Sequence, residues 1–137
     1  MVRSFASLAL FALAIVFTHP AAAERLKLSG SEIKQLLSDK TAYGYRGDTT
    51  YSVYFAPDGT MIEQEKDGKR RIGHWVAKQT EHCVTWQDDG AESCMALYRD
   101  RGQIIWVNPA TGAMNLARLK SGKNLATDLT QSADLSQ

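Results

Sequence analysis

Between residues 41 and 119 the hydrophobic and polar positions repeat one pattern, in which a short β-rich run is followed by a turn signal. The runs lie at 41–46, 50–56, 60–66, 70–77, 82–87, 91–98, 102–108 and 113–119. Turns rich in Gly, Asp and Pro separate them, and glycine accepts the positive φ that closes tight hairpins. Connections this short join neighbouring antiparallel strands. The pattern therefore predicts an antiparallel up-and-down meander of about 7–8 strands.

The segment before these runs, residues 28–39, has the pattern of a short helix. Ser29 can cap the first amides, and Glu32 stands at the partner position of a capping box. Ile33 and Leu37 belong to an apolar stripe that must lie on another element. We therefore expect a mainly β chain in which a short N-terminal helix precedes the meander. The strands then curl into a small barrel, which we favour, or form a strongly twisted sheet closed at one end by the helix.

The first 23 residues have the pattern of a signal peptide. Arg3 begins a positive stub, residues 6–17 are apolar, and Ala21-Ala22-Ala23 provides small residues for cleavage. The apolar run is too short for a comfortable membrane span. The pattern predicts a mature protein that starts at Glu24, is periplasmic or secreted from a Gram-negative bacterium, and keeps no stable membrane span after cleavage.

The mature chain has room for one domain with a modest core. We assign residues 24–119 to a single β-meander domain. Residues 120–137 contain no aromatic residue and few branched ones, so they cannot bury much apolar surface. This segment is therefore expected to be a disordered or weakly helical tail.

The charge of the chain points to no class of partner. The full sequence has 16 Lys and Arg residues against 15 Asp and Glu residues, and the loss of Arg3 with the signal peptide balances them. The basic cluster Lys69-Arg70-Arg71 is too short for the basic stripe that a nucleic-acid groove requires. We therefore expect no nucleic-acid partner.

The two cysteines, Cys83 and Cys94, are predicted to form a disulfide. A four-residue loop at 87–90, with Gly90 in the left-handed conformation, places the two cysteines directly opposite each other on adjacent strands. An exported chain has access to oxidants, and such a bond would stabilise the fold by roughly 3 kcal/mol. The same register puts four residues on the inner face: Val84, Trp86, Met95 and Leu97.

Aromatic residues offer the one candidate binding site. Trp75, Trp86 and Trp106 fall one per predicted strand, where they either fill the interior of a small barrel or line a ligand pocket. His74 and His82 lie on consecutive strands and could approach each other. Two imidazoles without a third ligand are poor evidence for a metal site, so we expect no metal.

Several pieces of the chain carry a family resemblance. Gly73-His74-Trp75 resembles the G-x-W signature of lipocalin-like barrels, although it falls on about the fourth strand and not on the first. Together with the helix, residues 51–60, Cys83-Val84-Thr85-Trp86 and Cys94, it makes residues 26–110 similar to a family of small periplasmic proteins of proteobacteria, mostly alphaproteobacteria. The resemblance implies an exported, distantly lipocalin-like β fold and no particular activity.

No catalytic constellation is visible in the sequence. It contains no nucleophile elbow, no phosphate-binding glycine loop and no histidine pair on a helix turn. We therefore expect no catalytic residues, no cofactor and no enzyme. The first hypothesis is a non-enzymatic exported binding or interaction protein that meets a small apolar ligand or a protein partner. The alternative is an inhibitor of a secreted hydrolase of the protease or lysozyme type.

Overall fold

The described part of the chain, residues 25–125 of a computed structural model, contains one helix and nine strands. The predicted signal peptide (1–23) and the predicted tail from residue 126 onwards lie outside the described residues. The elements are β1 Leu26–Lys27, α1 Gly30–Leu37, β2 Lys40–Arg46, β3 Thr49–Phe55, β4 Thr60–Glu65, β5 Arg70–Lys78, β6 Glu81–Trp86, β7 Glu92–Asp100, β8 Gln103–Val107 and β9 Met114–Ser121.

Strands β2 to β9 form a closed, antiparallel, eight-stranded barrel. Each strand pairs with its neighbour in the chain, and β9 returns to pair with β2, where Ala117 faces Gly44. The two-residue β1 adds to β7 beyond the last β6–β7 pair, with Leu26 opposite Arg99. The predicted meander is confirmed. Because β9 pairs with β2, the strands form the barrel that we favoured and not the open twisted sheet.

The strand bounds differ from the predicted ones by no more than two residues. Gly90 has a φ of 65°, as the predicted hairpin requires, and its amide donates to Trp86 O. The largest extensions, of two residues each, are at the ends of β7 and β9, which continue to Asp100 and Ser121. The chain then crosses the outside of β2, where the Thr41 hydroxyl donates to Gly122 O at 2.7 Å and accepts from the Asn124 amide at 3.0 Å.

Helix α1 closes one end of the barrel. Its N-terminus has the predicted capping box, since the Ser29 hydroxyl accepts from the Glu32 amide and the Glu32 carboxylate accepts from the Ser29 amide. Ile33 and Leu37 are fully buried, and the helix packs against β5, β6 and β2. The Gly30 amide also donates to Gln79 O in the β5–β6 turn. Among residues 25–125, no helix is long and apolar enough to cross a membrane.

The β6–β7 hairpin has the predicted register. Cys83 lies opposite Cys94 and the two form a disulfide with a Cα–Cα distance of 4.0 Å. Val84 and Leu97 are buried in the interior, while Trp86 and Met95 pack against the core and remain partly exposed. The cysteines are on the outer face, as predicted, although Cys83 is only 1% exposed.

Candidate functional site: a cavity at the open end of the barrel

The interior of the barrel contains a cavity of about 150 Å³ that is partly open to solvent. Its opening lies at the end opposite α1, because Arg46 and Trp86 end their strands there and Ser93 and Asn115 lie near the starts of theirs. We call this end the mouth. The helix contacts the other end, near the β5–β6 turn. One end of the barrel is thus plugged, and the other gives access to the cavity.

Aromatic rings form much of the cavity wall. The Phe55 and Trp106 rings are stacked with centroids 6.4 Å apart and an interplanar angle of 19°. Trp86 lines the cavity nearer the mouth, where the Arg71 guanidinium lies 4.2 Å from its ring centroid. Tyr51 lines the wall on β3. Flat apolar faces of this kind suit the rings of a small ligand.

His82 brings a polar group into these surroundings. It is on the inner face of β6, 4% exposed, and its ring centroid lies 5.3 Å from that of Phe55 and 5.9 Å from that of Trp75. Trp106 Nε1 donates a hydrogen bond to His82 Nδ1 at 3.3 Å. Burial lowers the pKa of His82 to about 4, so the imidazole is neutral at physiological pH.

An ion pair between a buried carboxylate and a half-exposed guanidinium lies near the mouth. Glu63 is 2% exposed on the inner face of β4, and Arg46 reaches across β3 to hold both of its carboxylate oxygens at 2.9 and 3.2 Å. The guanidinium also lies 4.9 Å from the centroid of the Tyr51 ring and 3.6 Å from Glu65. The hydrogen bond to Glu63 raises the pKa of Arg46. The pair satisfies a carboxylate that would be costly to bury alone.

The structure separates the three tryptophans. Trp86 and Trp106 line the cavity, but Trp75 is not among its lining residues. Its indole Nε1 donates to Ala56 O at 3.0 Å, and its ring packs edge-on against Phe55 with centroids 5.7 Å apart. Trp75 therefore belongs to the packed layer between the cavity and the plugged end.

Sequence reasoning named His82 only as a possible neighbour of His74, and it did not single out Glu63 or Arg46. Glu63 alternates with Met61 on β4, so both point inward, and a glutamate on an apolar face was a signal available from the sequence. His82 likewise shares its face with Val84. Arg46 gave no such signal, because it ends a strand and its contact with Glu63 crosses an intervening strand.

The anticipated approach of His74 to His82 is wrong. His74 is exposed on the outer face of β5, while His82 is on the inner face of β6, because Trp75 and not His74 shares the inner face with Val84. A second group of possible metal-ligand atoms joins Glu81 to Cys83 and Cys94. Both of those sulfurs are in the disulfide and offer no thiolate.

No family model, no curated protein sequence and no solved structure matches the chain.

Proposed function

We propose that this protein is an exported, non-enzymatic binding protein that holds a small, mainly apolar, ring-containing ligand in the barrel. The observation that supports the proposal is the partly open cavity with walls formed by Phe55, Trp86 and Trp106. Mostly apolar walls with a few placed polar groups are typical of ligand sites.

The size of the cavity limits the ligand. A volume of about 150 Å³ is close to what a benzene ring occupies in an engineered protein cavity, and it is below the roughly 300 Å³ at which drug-sized sites begin. A long-chain fatty acid would leave most of its chain in solvent. The ligand class is therefore one ring or two small fused rings, with at most a short substituent.

The polar groups of the site favour binding over catalysis. Arg46 and Glu63 neutralise each other, and within residues 25–125 His82 has aromatic neighbours and no carboxylate hydrogen-bonded to it that would orient it as a base. A hydrolase inhibitor would act by inserting a protruding loop into a cleft, and an accessible cavity has no part in that mechanism. The cavity thus favours the ligand-binding hypothesis over the inhibitor.

Export is the other half of the proposal. It is supported by the signal-peptide pattern at 1–23 and by the disulfide, because disulfides persist in oxidising compartments and are rare in the cytosol. The resemblance to small periplasmic proteins of proteobacteria agrees with it.

The cavity can be tested with amide NMR titrations of indole and of dodecanoate. We expect indole to shift the signals of Phe55, Trp106 and their neighbours in a saturable way, and dodecanoate to leave them largely unchanged. Ala42 lines the cavity and is buried, so Ala42→Leu fills the space. The variant should bind indole at least about tenfold more weakly and should melt no lower than the wild type.

Ala113→Leu is the matched control, because Ala113 is exposed in the turn before β9 and the same enlargement leaves the cavity unchanged. The proposal is wrong if indole shifts no amide signal of the cavity-lining residues. It is also wrong if Ala42→Leu binds indole as tightly as the wild type does, because the ligand is then not held in the cavity.

A further inference from the structure

We propose that the ligand carries a hydrogen-bond acceptor on its ring substituent, and that His82 Nε2–H is the donor that selects for it. This inference rests on the proposed function, since it names the chemistry that the same cavity recognises. It makes His82 a specificity-determining residue of the site.

The tautomer of His82 follows from its partner. The indole nitrogen of Trp106 is a donor only, so the atom that receives its hydrogen bond, His82 Nδ1, must be an unprotonated acceptor. In a neutral imidazole the proton is then on the other nitrogen. Nε2 is therefore an N–H donor, and Nδ1 is already occupied.

This donor has no partner within the described residues 25–125. His82 Nε2 is buried, and no hydrogen-bond acceptor of the protein reaches it. The rings packed around the imidazole belong to Phe55, Trp75 and Trp106, which provide no acceptor oxygen. An unpaired buried donor is costly, so a molecule that supplies the acceptor gains more affinity than its apolar contacts alone provide.

The other buried polar group of the cavity does not compete for this role. Both oxygens of Glu63 already accept hydrogen bonds from Arg46, and a cationic ligand would have to displace that guanidinium. The binding of an acceptor at His82 breaks no existing hydrogen bond. The unpaired donor in the cavity therefore favours a ligand with a hydrogen-bond acceptor over a cationic ligand.

The experiment compares ring compounds of matched shape with and without an acceptor. Benzonitrile is paired with phenylacetylene, and acetophenone with α-methylstyrene. The nitrile places its acceptor atom on the axis of the ring substituent, and the ketone places its acceptor atom to one side of that axis. Dissociation constants are measured by amide NMR on the wild-type protein. We expect at least one acceptor compound to bind about tenfold more tightly than its hydrocarbon partner. When benzonitrile is the compound that binds more tightly, its nitrile stretch should show the frequency shift of a hydrogen-bonded nitrile.

His82→Phe should remove this preference, because it keeps a ring of similar size and deletes the donor. His74→Phe is the matched control, because His74 lies on the outer face of the neighbouring strand β5. This variant should still bind the acceptor compound more tightly than its hydrocarbon partner. The infrared measurement is made on the wild-type protein, so the test does not depend on the variant folding.

The possible outcomes separate the two proposals. Equal binding of each acceptor and its hydrocarbon partner would overturn the role of His82 and leave the cavity as a binding site, as would a preference that survives His82→Phe. Failure of all four compounds to shift the cavity signals would overturn the binding function, and the role of His82 with it.

Discussion

At the scale of single residues, His82 combines a titratable group with aromatic surroundings. Its neighbours Phe55, Trp75 and Trp106 provide no countercharge, and burial is the cause of its lowered pKa. The folded protein therefore resists protonation of this imidazole down to about pH 4, whereas the unfolded chain takes up the proton near pH 6.5.

The first prediction is a loss of stability in mild acid. Between pH 6.5 and about pH 4 the unfolded state binds more protons than the folded state, so the free energy of unfolding falls as the pH falls. The full loss is about 3 kcal/mol. Denaturant unfolding across this window should show the decline in the wild type and a flatter profile in His82→Phe.

His74→Phe serves as the control, because this exposed side chain should leave the decline unchanged. Asp58 and Asp88, whose pKa values are lowered by hydrogen bonds to Thr60 and Arg71, lose their stabilising effect only as the pH falls below the same window. An equally steep decline in His82→Phe would assign the acid sensitivity to another group.

Gly73 also has a role at the residue scale. It is on the inner face of β5, where a Cβ atom would lie 2.8 Å from Thr85 O and 3.1 Å from Cε3 of Trp86. The absence of a side chain lets the Trp86 ring pack against the strand backbone and form the cavity wall.

We predict that Gly73→Ala destabilises the fold by about 1–3 kcal/mol, because the backbone at Thr85 cannot give way easily. The direction of this change in stability is informative, since the replacement of glycine by alanine within a strand ordinarily stabilises the fold. Urea unfolding measures the change, and quenching by acrylamide should show greater access to Trp86. A variant as stable as the wild type would show that the wall can rearrange at no cost.

At the scale of elements, the β6–β7 hairpin is fixed by a cross-strand disulfide. Cys83 and Cys94 are directly opposite, on the outer face, away from the cavity-lining side chains of the same strands. The bond thus restrains the hairpin without contributing a group to the site.

We therefore predict that the double variant Cys83→Ser, Cys94→Ser loses about 2–4 kcal/mol of stability and melts about 10 °C lower. Thermal unfolding by circular dichroism measures this loss. Indole binding at a temperature where the variant is folded should match the wild type. If the oxidised wild type reacts with two equivalents of iodoacetamide, the cysteines are not bonded to each other.

At the scale of the whole molecule, closure of the barrel decides what the interior can do. The pairing of β9 with β2 leaves the inner face without a long open edge, and α1 covers one end. The proposed ligand would therefore enter and leave through the mouth, where Arg46, Glu63 and Trp86 lie.

The prediction at this scale is export with cleavage after Ala23, as the charged stub, apolar run and alanine triplet indicate. Intact-mass analysis of protein from the periplasm of an expressing Gram-negative host should give a chain that starts at Glu24 and is lighter by the two hydrogens lost in the disulfide. Ala21→Leu with Ala23→Leu should block cleavage. A periplasmic species that retains Met1 would refute the cleavage site.

The sequence by itself determined the elements and their order. Alternation of polar and apolar residues, turn glycines such as Gly90 and the Ser29–Glu32 capping box are local signals, because they depend on neighbours within a few residues. The register at Cys83 and Cys94 followed from the same local counting. These predictions are confirmed because the fold joins consecutive strands by short turns, so that local signals decide which strands pair.

Only the tertiary structure decided which residues meet inside the barrel. Trp106 donates to His82 across a distance of 24 residues in sequence, and Arg46 reaches Glu63 over an intervening strand. These contacts depend on how the strands curve around the interior, which no local pattern encodes. Closure of the barrel left a cavity beside Trp86 and Trp106 and packed Trp75 beneath it, since the space that remains depends on how all eight strands fit together.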